Sequence, residues 1–424
     1  MSDDSQEREG AVGSIADRSG GARGSVLILV QNMSVPLDRR VWAECRALRA
    51  ARYEVTVICP QGRIHDSEAH VRLDGVEIHR YPQVPAEGGV VGYLREYASA
   101  FWHISRLARR LGRERTFDVV QACNPPDFLL AAALPLKRRG ARFVFDHHDL
   151  VPELYRSRFD GSRGPLFGVA RLLERLSFRL ADVVISTNES YRRVALTRGR
   201  KRPEDVFIVR NGPDLRRITA VGADPGLRRG KKHLIAYVGQ MGPQDGVDLG
   251  IRALAELARR RRDWCALFIG DGDALPSARR LADDLGLAAD VEFTGFVRDE
   301  ETIRRALATA DVCIAPEPKN ELNDASTMMK IAEYMASGTP VVASDLAESR
   351  FTALDSALYA DATDPAAFAA RIDELLGDGA AREAMGARAR RRVEKELSWE
   401  HAEREYLAAY EYVLSERASD RGRQ

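Results

Sequence analysis

The sequence predicts an α/β protein built from two doubly wound domains in tandem. Three observations carry that expectation. Short β-branched runs alternate with longer amphipathic stretches from Ser25 onward, the pattern of βαβ units around a parallel sheet. Each run is nearly all apolar, as strands covered on both faces are. The alternation breaks at Asn211-Gly212-Pro213 and restarts at Leu234. A length of 424 residues suits two or three domains at roughly 100–200 residues each.

In order, the first half reads as a strand at Val26–Val30, a helix at Leu37–Arg49, strands at Val55–Cys59 and Val76–Tyr81, a helix at Tyr93–Leu111 and a strand at Val119–Ala122. A helix from Asp127 follows, then a strand at Arg142–Phe145, a helix through Leu172–Leu180, and strands at Val183–Ser186 and Val206–Val209. Arg216–Lys232 is polar and bounded by Pro225, and so reads as a linker. Strands then recur at Leu234–Val238, Ala266–Ile269, Val291–Phe293, Val312–Ala315 and Val341–Ala343, each followed by helix-like sequence. Asp364–Leu414 is helical by periodicity, with Trp399 between two segments. Residues 1–24 are polar and Gly-rich with no apolar segment, which reads as a disordered tail and not as a secretory signal.

Composition narrows the classes. Five cysteines, an odd number, are far apart and form no CxxC pair, so neither a disulfide framework nor a zinc site is indicated, and a reducing cytosol is the expected compartment. No apolar run approaches the ~18–20 residues of a membrane-spanning helix, since Phe128–Leu136 is interrupted by Pro135. A formal charge of +1 argues against a strongly basic nucleic-acid binder. That total hides an asymmetry. Residues 1–225 hold 36 basic and 28 acidic side chains, a net +8, and the remainder hold 28 and 35, a net −7.

Ligands of open α/β sheets bind beyond the carboxyl ends of strands, where helix N-termini aim N–H groups at anions. Gly239, with Gly242 and Gly246, follows one strand, Gly270-Asp271-Gly272 follows the next, and Thr294-Gly295 a third. Such glycines suit a phosphate-facing loop and equally suit tight turns. The richest segment runs from Pro316 to Thr327 and leads into a helix from Met328 to Ala336. Asp324 or Ser326 is the expected N-cap, which would turn the amides beyond it, near Ser326 and Thr327, toward an anion. Lys330 lies one turn on, on the same face, and Glu333 three residues further suits a ribose diol. In the first half a strand ends in Asp146-His147-His148-Asp149. Catalysis, substrate contact or capping fits these residues better than metal ligation, because adjacent side chains on extended backbone point to opposite faces.

These segments carry a resemblance. His148-Asp149-Leu150, Val209-Arg210-Asn211-Gly212, Tyr237-Val238-Gly239, Phe268-Ile269-Gly270-Asp271-Gly272, Phe293-Thr294-Gly295 and above all Glu333-Tyr334-Met335-Ala336-Ser337-Gly338-Thr339-Pro340-Val341-Val342 resemble family 4 retaining glycosyltransferases of GT-B fold. The likeness covers about residues 25–415 and extends to a subgroup of surface-polysaccharide transferases. It implies two Rossmann-like domains facing a central cleft, with residues 25–215 as the acceptor domain and 233–397 as the nucleotide-sugar domain. Residues 216–232 would link them, and 398–424 would form a helix returning to the first domain, then a tail. It implies His148 and Lys330 as catalytic residues, and Gly239, Gln240, Gly270, Gly272, Ser326, Thr327 and Glu333 as donor contacts. Arg39, Arg40, Asp149, Arg210 and Asp324 are further candidates for donor or acceptor contact.

The expected reaction moves a hexosyl group from a nucleotide sugar, UDP- or GDP-linked, to a glycan or polyprenyl-linked acceptor. No metal or other cofactor is expected, and no nucleic-acid partner. Three positions depart from the family pattern. Gln240 and Asp245 stand where an Arg and a Lys are usual, Ala325 stands eight residues before Glu333 where a first glutamate is usual, and Asn32–Pro36 replaces a Gly-Gly after the first strand. Lys330, or Arg39, Arg40 or Arg210 reaching across, would then balance the diphosphate. The stretch Tyr93–Arg115 mixes Tyr93, Tyr97, Phe101 and Trp102 with six arginines, and suits either an anionic bilayer, on the inner face of the plasma membrane of a bacterial cell, or ordinary packing on the sheet. A nucleotide-sugar epimerase of the same fold and a non-catalytic partner protein are the competing readings.

Overall fold

The structure is a computed structural model that describes residues 21–62, 66–83, 90–158, 164–216 and 221–421. Most of the N-terminal tail expected at 1–24 lies outside the described residues, but Gly24 already opens the first strand.

The first sheet holds β1 (Gly24–Leu29), β2 (Tyr53–Pro60), β3 (His70–Leu73), β4 (Val76–Tyr81), β5 (Val119–Cys123), β6 (Arg142–His147), β7 (Val183–Ser186) and β8 (Val206–Ile208). Their spatial order is β3-β4-β2-β1-β5-β6-β7-β8, and every pair is parallel except β3 with β4. Side-chain alternation splits each strand between two cores. Leu27, Leu29, Val120, Phe143 and Phe145 face one way, onto α2 (Val90–Glu114), α3 (Leu130–Lys137) and α5 (Pro165–Leu180). Val26, Ile28, Val55, Val57 and Val144 face the other, onto Val41, Trp42, Cys45 and Leu48 of α1 (Arg39–Ala50). Two further helices follow β6 and β7: α4 (Val151–Arg158), and α6 (Glu189–Thr197), which packs Ala195 into the first of these cores.

The second sheet holds β9 (His233–Val238), β10 (Trp264–Ile269), β11 (Val291–Gly295), β12 (Val312–Ala315), β13 (Val341–Ser344) and β14 (Ala357–Ala360), in the all-parallel order β11-β10-β9-β12-β13-β14. The order reverses between β9 and β12, as it does between β1 and β5 in the first sheet. That reversal opens a crevice at the carboxyl ends, where doubly wound sheets bind ligands. Its helices are α7 (Val247–Ala258), α8 (Leu275–Asp284), α9 (Glu300–Thr309), α10 (Glu321–Ala325), α11 (Met329–Ala336), α12 (Ala347–Ala353), α13 (Pro365–Gly377) and α14 (Gly379–Arg392).

The chain then crosses back. After a π-helical turn at Val393–Leu397, α15 (Trp399–Arg421) places Trp399, Ala402, Tyr406, Ala409, Tyr410 and Val413 in the same core as β1, β2 and α1. The three- and four-residue spacing puts them on one face. Each buried aromatic contributes roughly 2–3 kcal/mol of apolar burial, so α15 belongs energetically to the first domain. The two crossing strands touch: Trp399 N donates to Pro213 O at 3.0 Å, and a Cβ on Gly212 would stand 2.0 Å from Leu397 O, so only glycine fits there.

Several elements differ from the sequence expectation. The edge strand β3 was not expected because its side chains are largely exposed and carry no apolar run. Helices α4 and α6 were not expected because they are short, 8 and 9 residues; α6 nevertheless packs Ala195, Val194 and Leu196 onto the core under β1 and β6. The expected N-cap of the helix after β12 is corrected: α11 begins at Met329 with Met328 as N-cap, and Asn320 caps a separate short helix, α10. Ser326 instead closes α10, its hydroxyl donating to Leu322 O, and Asp324 accepts from Ala347 N at the start of α12. Of the segment between the sheets, Asp224–Arg228 packs on the second one through Asp224 N to Thr309 Oγ1 and Arg228 to Asp311.

Candidate active site

The site is assembled from the carboxyl ends of both sheets. On the first, the two adjacent histidines part company. His147 is fully buried against Phe145, Phe178 and Tyr191, and burial pushes its imidazole down to about 3, so it is neutral. His148 turns to the cleft with its Nε2 2.6 Å from Asp146 Oδ2. Asn124, one residue past β5, clamps this turn: its Oδ1 accepts from His148 N at 2.6 Å and Asp149 N at 3.1 Å, while its Nδ2 donates to Asp149 O.

Arg40 and Arg39, neighbours on α1, do different work. Arg40 is buried and donates to Asp146 Oδ1 at 3.0 Å, Val209 O at 2.9 Å and Asn211 Oδ1, with Glu44 at 3.0 Å. It is committed inside the first domain, which overturns the expectation that it reaches a diphosphate. Burial opposes the charge of Asp146, but Arg40 and His148 outweigh it and hold the carboxyl well below its usual range. Burial first and then Asp146 push the Glu44 carboxyl well above its usual range, with Arg40 opposing. Arg39 does reach across the cleft, to Glu333 Oε1 at 3.4 Å and Glu300 Oε1 at 3.7 Å, with half its side chain exposed.

On the second sheet, Gly239 follows β9 and Gly270 follows β10, both with positive φ. A Cβ on Gly270 would stand 1.8 Å from Gly239 O, so these glycines let the two loops touch. Gly272 sits the same way against Met241 O, and Gln240 is exposed between the loops. Lys330 lies beneath: a Cβ on Gly239 would be 3.3 Å from its ammonium. Its Nζ is 2.7 Å from Glu317 Oε1 and 3.7 Å from Asp245 Oδ1, and it donates to Tyr237 OH at 2.9 Å. Burial works against the ammonium, but Glu317 first and then Tyr237 and Asp245 raise its pKa well above the ordinary lysine value. Glu333, on the next turn of α11, is pushed up by burial, with Arg39 opposing.

Other contacts close the cleft. Asn188 Nδ2 donates to Ala325 O and Thr327 Oγ1, Tyr191 OH meets Ser326 Oγ at 3.0 Å, and Ser190 Oγ donates to Glu348. Arg210 stands 3.7 Å from Glu348 and stacks on Phe351 at 4.1 Å, so it joins the domains through a carboxylate and a ring. Arg156 pairs with Glu321. Ala325, Asp324 and Glu321 are thus all engaged elsewhere, and the carboxylate that stands beside Lys330 is Glu317, 1% exposed between two prolines after β12. Sequence reasoning did not single out Glu317, Asp146 or Asn124 for these roles, because each acts on a residue distant in the chain. Phe296, 66% exposed one residue past β11, was also missed. An apolar side chain left in water next to a Thr-Gly strand end was the available signal.

Two facing doubly wound domains with a returning C-terminal helix define the GT-B class. Sucrose-phosphate synthase from Thermosynechococcus elongatus shares the fold, with a TM-score of 0.72 at 17% identity over 93% of this chain and 100% of that one. The family model described as "Glycosyl transferase 4-like domain" matches residues 37–212, and "Glycosyl transferases group 1" matches residues 232–378. The chain belongs to this group 1, family 4-type set of glycosyltransferases. A GDP-mannose-dependent alpha-(1-6)-phosphatidylinositol monomannoside mannosyltransferase of Mycolicibacterium smegmatis is 32% identical over 67% of this chain and 66% of its own length. A D-inositol 3-phosphate glycosyltransferase of Kineococcus radiotolerans is 28% identical over 82% and 84%.

Proposed function

We propose that the protein transfers a hexosyl group, with retention and without a metal ion, from a UDP- or GDP-linked sugar to a glycan or polyprenyl-linked acceptor in cell-surface polysaccharide synthesis. The observation that carries this reading is the Arg39–Glu333 bridge, which draws the first domain's α1 over the carboxylate suited to a ribose. A ribose diol that takes Glu333 releases the Arg39 guanidinium, which then serves the diphosphate in place of the cations absent at Gln240 and Asp245. Gly239, Gln240, Gly270, Gly272 and the first amides of α11 line the same edge. Phe296 offers a ring for the nucleobase, and His148 faces the sugar.

The transition state of glycosyl transfer is oxocarbenium-like and leaves a diphosphate. Orientation in the closed cleft and stabilisation of the leaving charge supply the acceleration. The name of the M. smegmatis relative, whose acceptor is a lipid, supports a lipid-borne acceptor here.

The first domain offers a face for an anionic bilayer. On α2, Tyr97 and Phe101 pack edge-on against Phe128, so these two aromatics serve the core, whereas Trp102 is 58% exposed with Arg106 over its ring. On α5, Leu166, Val169 and Leu172 are exposed beside exposed Arg171, Arg175 and Arg179. Apolar and basic groups together suit the boundary of an anionic membrane. Among the described residues no helix is long and apolar enough to cross one.

Two experiments test the reading. Incubation with UDP- and GDP-sugars and a membrane extract should yield an acceptor-dependent product whose anomeric configuration matches the donor. An inverted product, or no binding of any nucleoside diphosphate in a thermal-shift panel, refutes it. The Leu166→Ser/Leu172→Ser variant should lose salt-sensitive flotation with phosphatidylglycerol vesicles, and unchanged flotation removes the membrane surface.

A further inference from the structure

Beneath His148 lies a buried network that the transfer reaction described above does not use. Asp146 Oδ2 is 2.6 Å from His148 Nε2 and also accepts from Gln121 Nε2 at 3.0 Å. Gln121 Nε2 donates to Glu44 Oε2 at 2.8 Å as well. The amide cannot turn over, because that would set its oxygen against the ionised Asp146; its Oε1 accepts instead from two phenols of the returning helix, Tyr406 at 2.9 Å and Tyr410 at 2.6 Å. Gln121, Asp146, Tyr406 and Tyr410 are each fully buried.

The network settles which tautomer of His148 it favours. Arg40 Nε stands 2.9 Å from the same Nε2. One imidazole nitrogen cannot both accept from a guanidinium and donate to a carboxylate. Asp146, held ionised by Arg40, can only accept at 2.6 Å, so a bare Nε2 would face a negative oxygen, whereas Glu44 Oε1 has no hydrogen bond of its own and lies 3.0 Å from Arg40 Nε, within reach of that N–H by a small rotation. The proton therefore sits on Nε2, and Nδ1, which has no hydrogen-bond partner among the described residues, is the ring's free acceptor. Glu44, Cys123, Asp146 and His148 bring their ligand atoms within 4.8 Å of one another, but the guanidinium of Arg40 already supplies the positive charge there.

We propose that Asp146 is a positioning residue that fixes His148 as its Nε2–H tautomer with Nδ1 presented as an acceptor to a sugar hydroxyl, and that Tyr406 and Tyr410 of the returning helix hold Asp146 in place through Gln121. The C-terminal helix is then part of the catalytic support as well as a strap between domains. This rests on His148 as the sugar-facing residue, and its test is arranged so that the two can fail separately.

The full chain labelled with ¹⁵N-histidine, at pH 8, is examined by long-range ¹H–¹⁵N correlation, with His148 assigned by the signal lost in His148→Gln. The expected pattern is a protonated Nε2 and a bare Nδ1. An Nδ1–H pattern in the unaltered protein overturns the proposal, whatever the protein catalyses. In Asp146→Asn the His148 pattern should become a mixture of tautomers, with kcat down about a hundredfold and donor KM within about threefold. The Tyr406→Phe/Tyr410→Phe variant leaves Arg40, Asp146 and His148 in place, so it remains informative if Asp146→Asn does not fold. It should shift the His148 signals and lower kcat about tenfold. Unchanged signals and kcat there overturn the role of the helix. A correct tautomer in a protein that transfers no sugar supports the positioning geometry and refutes the proposed reaction instead.

Discussion

Replacing Lys330 by Met removes the cation of a nearly closed ion pair and separates its structural from its catalytic work. Glu317 is 1% exposed, with its Oε1 2.7 Å from the ammonium. At an effective dielectric constant of about 20 that contact alone is worth roughly 6 kcal/mol of gross attraction. Desolvation offsets part of it, so the expected loss is about 3–5 kcal/mol, the range for removing one partner of a buried pair. In a domain of this size that lowers Tm by roughly 10 °C. Urea unfolding of Lys330→Met beside the unaltered protein reads this loss directly. Adding Glu317→Gln should recover most of the stability while transfer stays slow. A deficit that Glu317→Gln leaves in place would falsify the pairing as the basis of the effect.

Other consequences follow from the same geometry. Arg39→Ala should weaken a nucleoside diphosphate by about tenfold in calorimetry, the scale of one charge-assisted hydrogen bond, and the bare nucleoside far less; equal losses would place Arg39 on the ribose. Phe296→Ala should cost about 1–3 kcal/mol of nucleotide binding if a base stacks there, and an unchanged Kd removes that platform. Asp127 is buried on the Asn124 clamp, and burial raises its carboxyl to about 8, with Asn124 opposing. Its raised pKa makes stability fall by about 1.4 kcal/mol per pH unit between roughly pH 4 and 8. Asp127→Asn should flatten that slope, as chemical denaturation across the range would show.

The charge asymmetry of the chain takes on a local meaning. The second half, net −7, contains the proposed nucleotide edge, where Lys330 is outnumbered by Glu317 and Asp245. On the proposed reading a cation for the diphosphate comes from the basic half, and Arg39, which crosses to Glu333, is placed to supply it.

Much was legible in the chain itself. Apolar runs such as Val119–Cys123 and Val312–Ala315 are strands because nothing else buries them on both sides. The alternation also gave two domains, since each run of βα units can close its own core. Tertiary structure decided what local pattern cannot encode. It sent His147 inward and His148 outward, withdrew Arg40 into the first domain while its neighbour Arg39 crossed the cleft, and put Glu317 beside Lys330. It also set Gln121 under the phenols of Tyr406 and Tyr410, 285 and 289 residues away in the chain. Periodicity is a property of neighbours along the backbone, whereas a buried charge finds its partner only when distant strand ends meet and water has left.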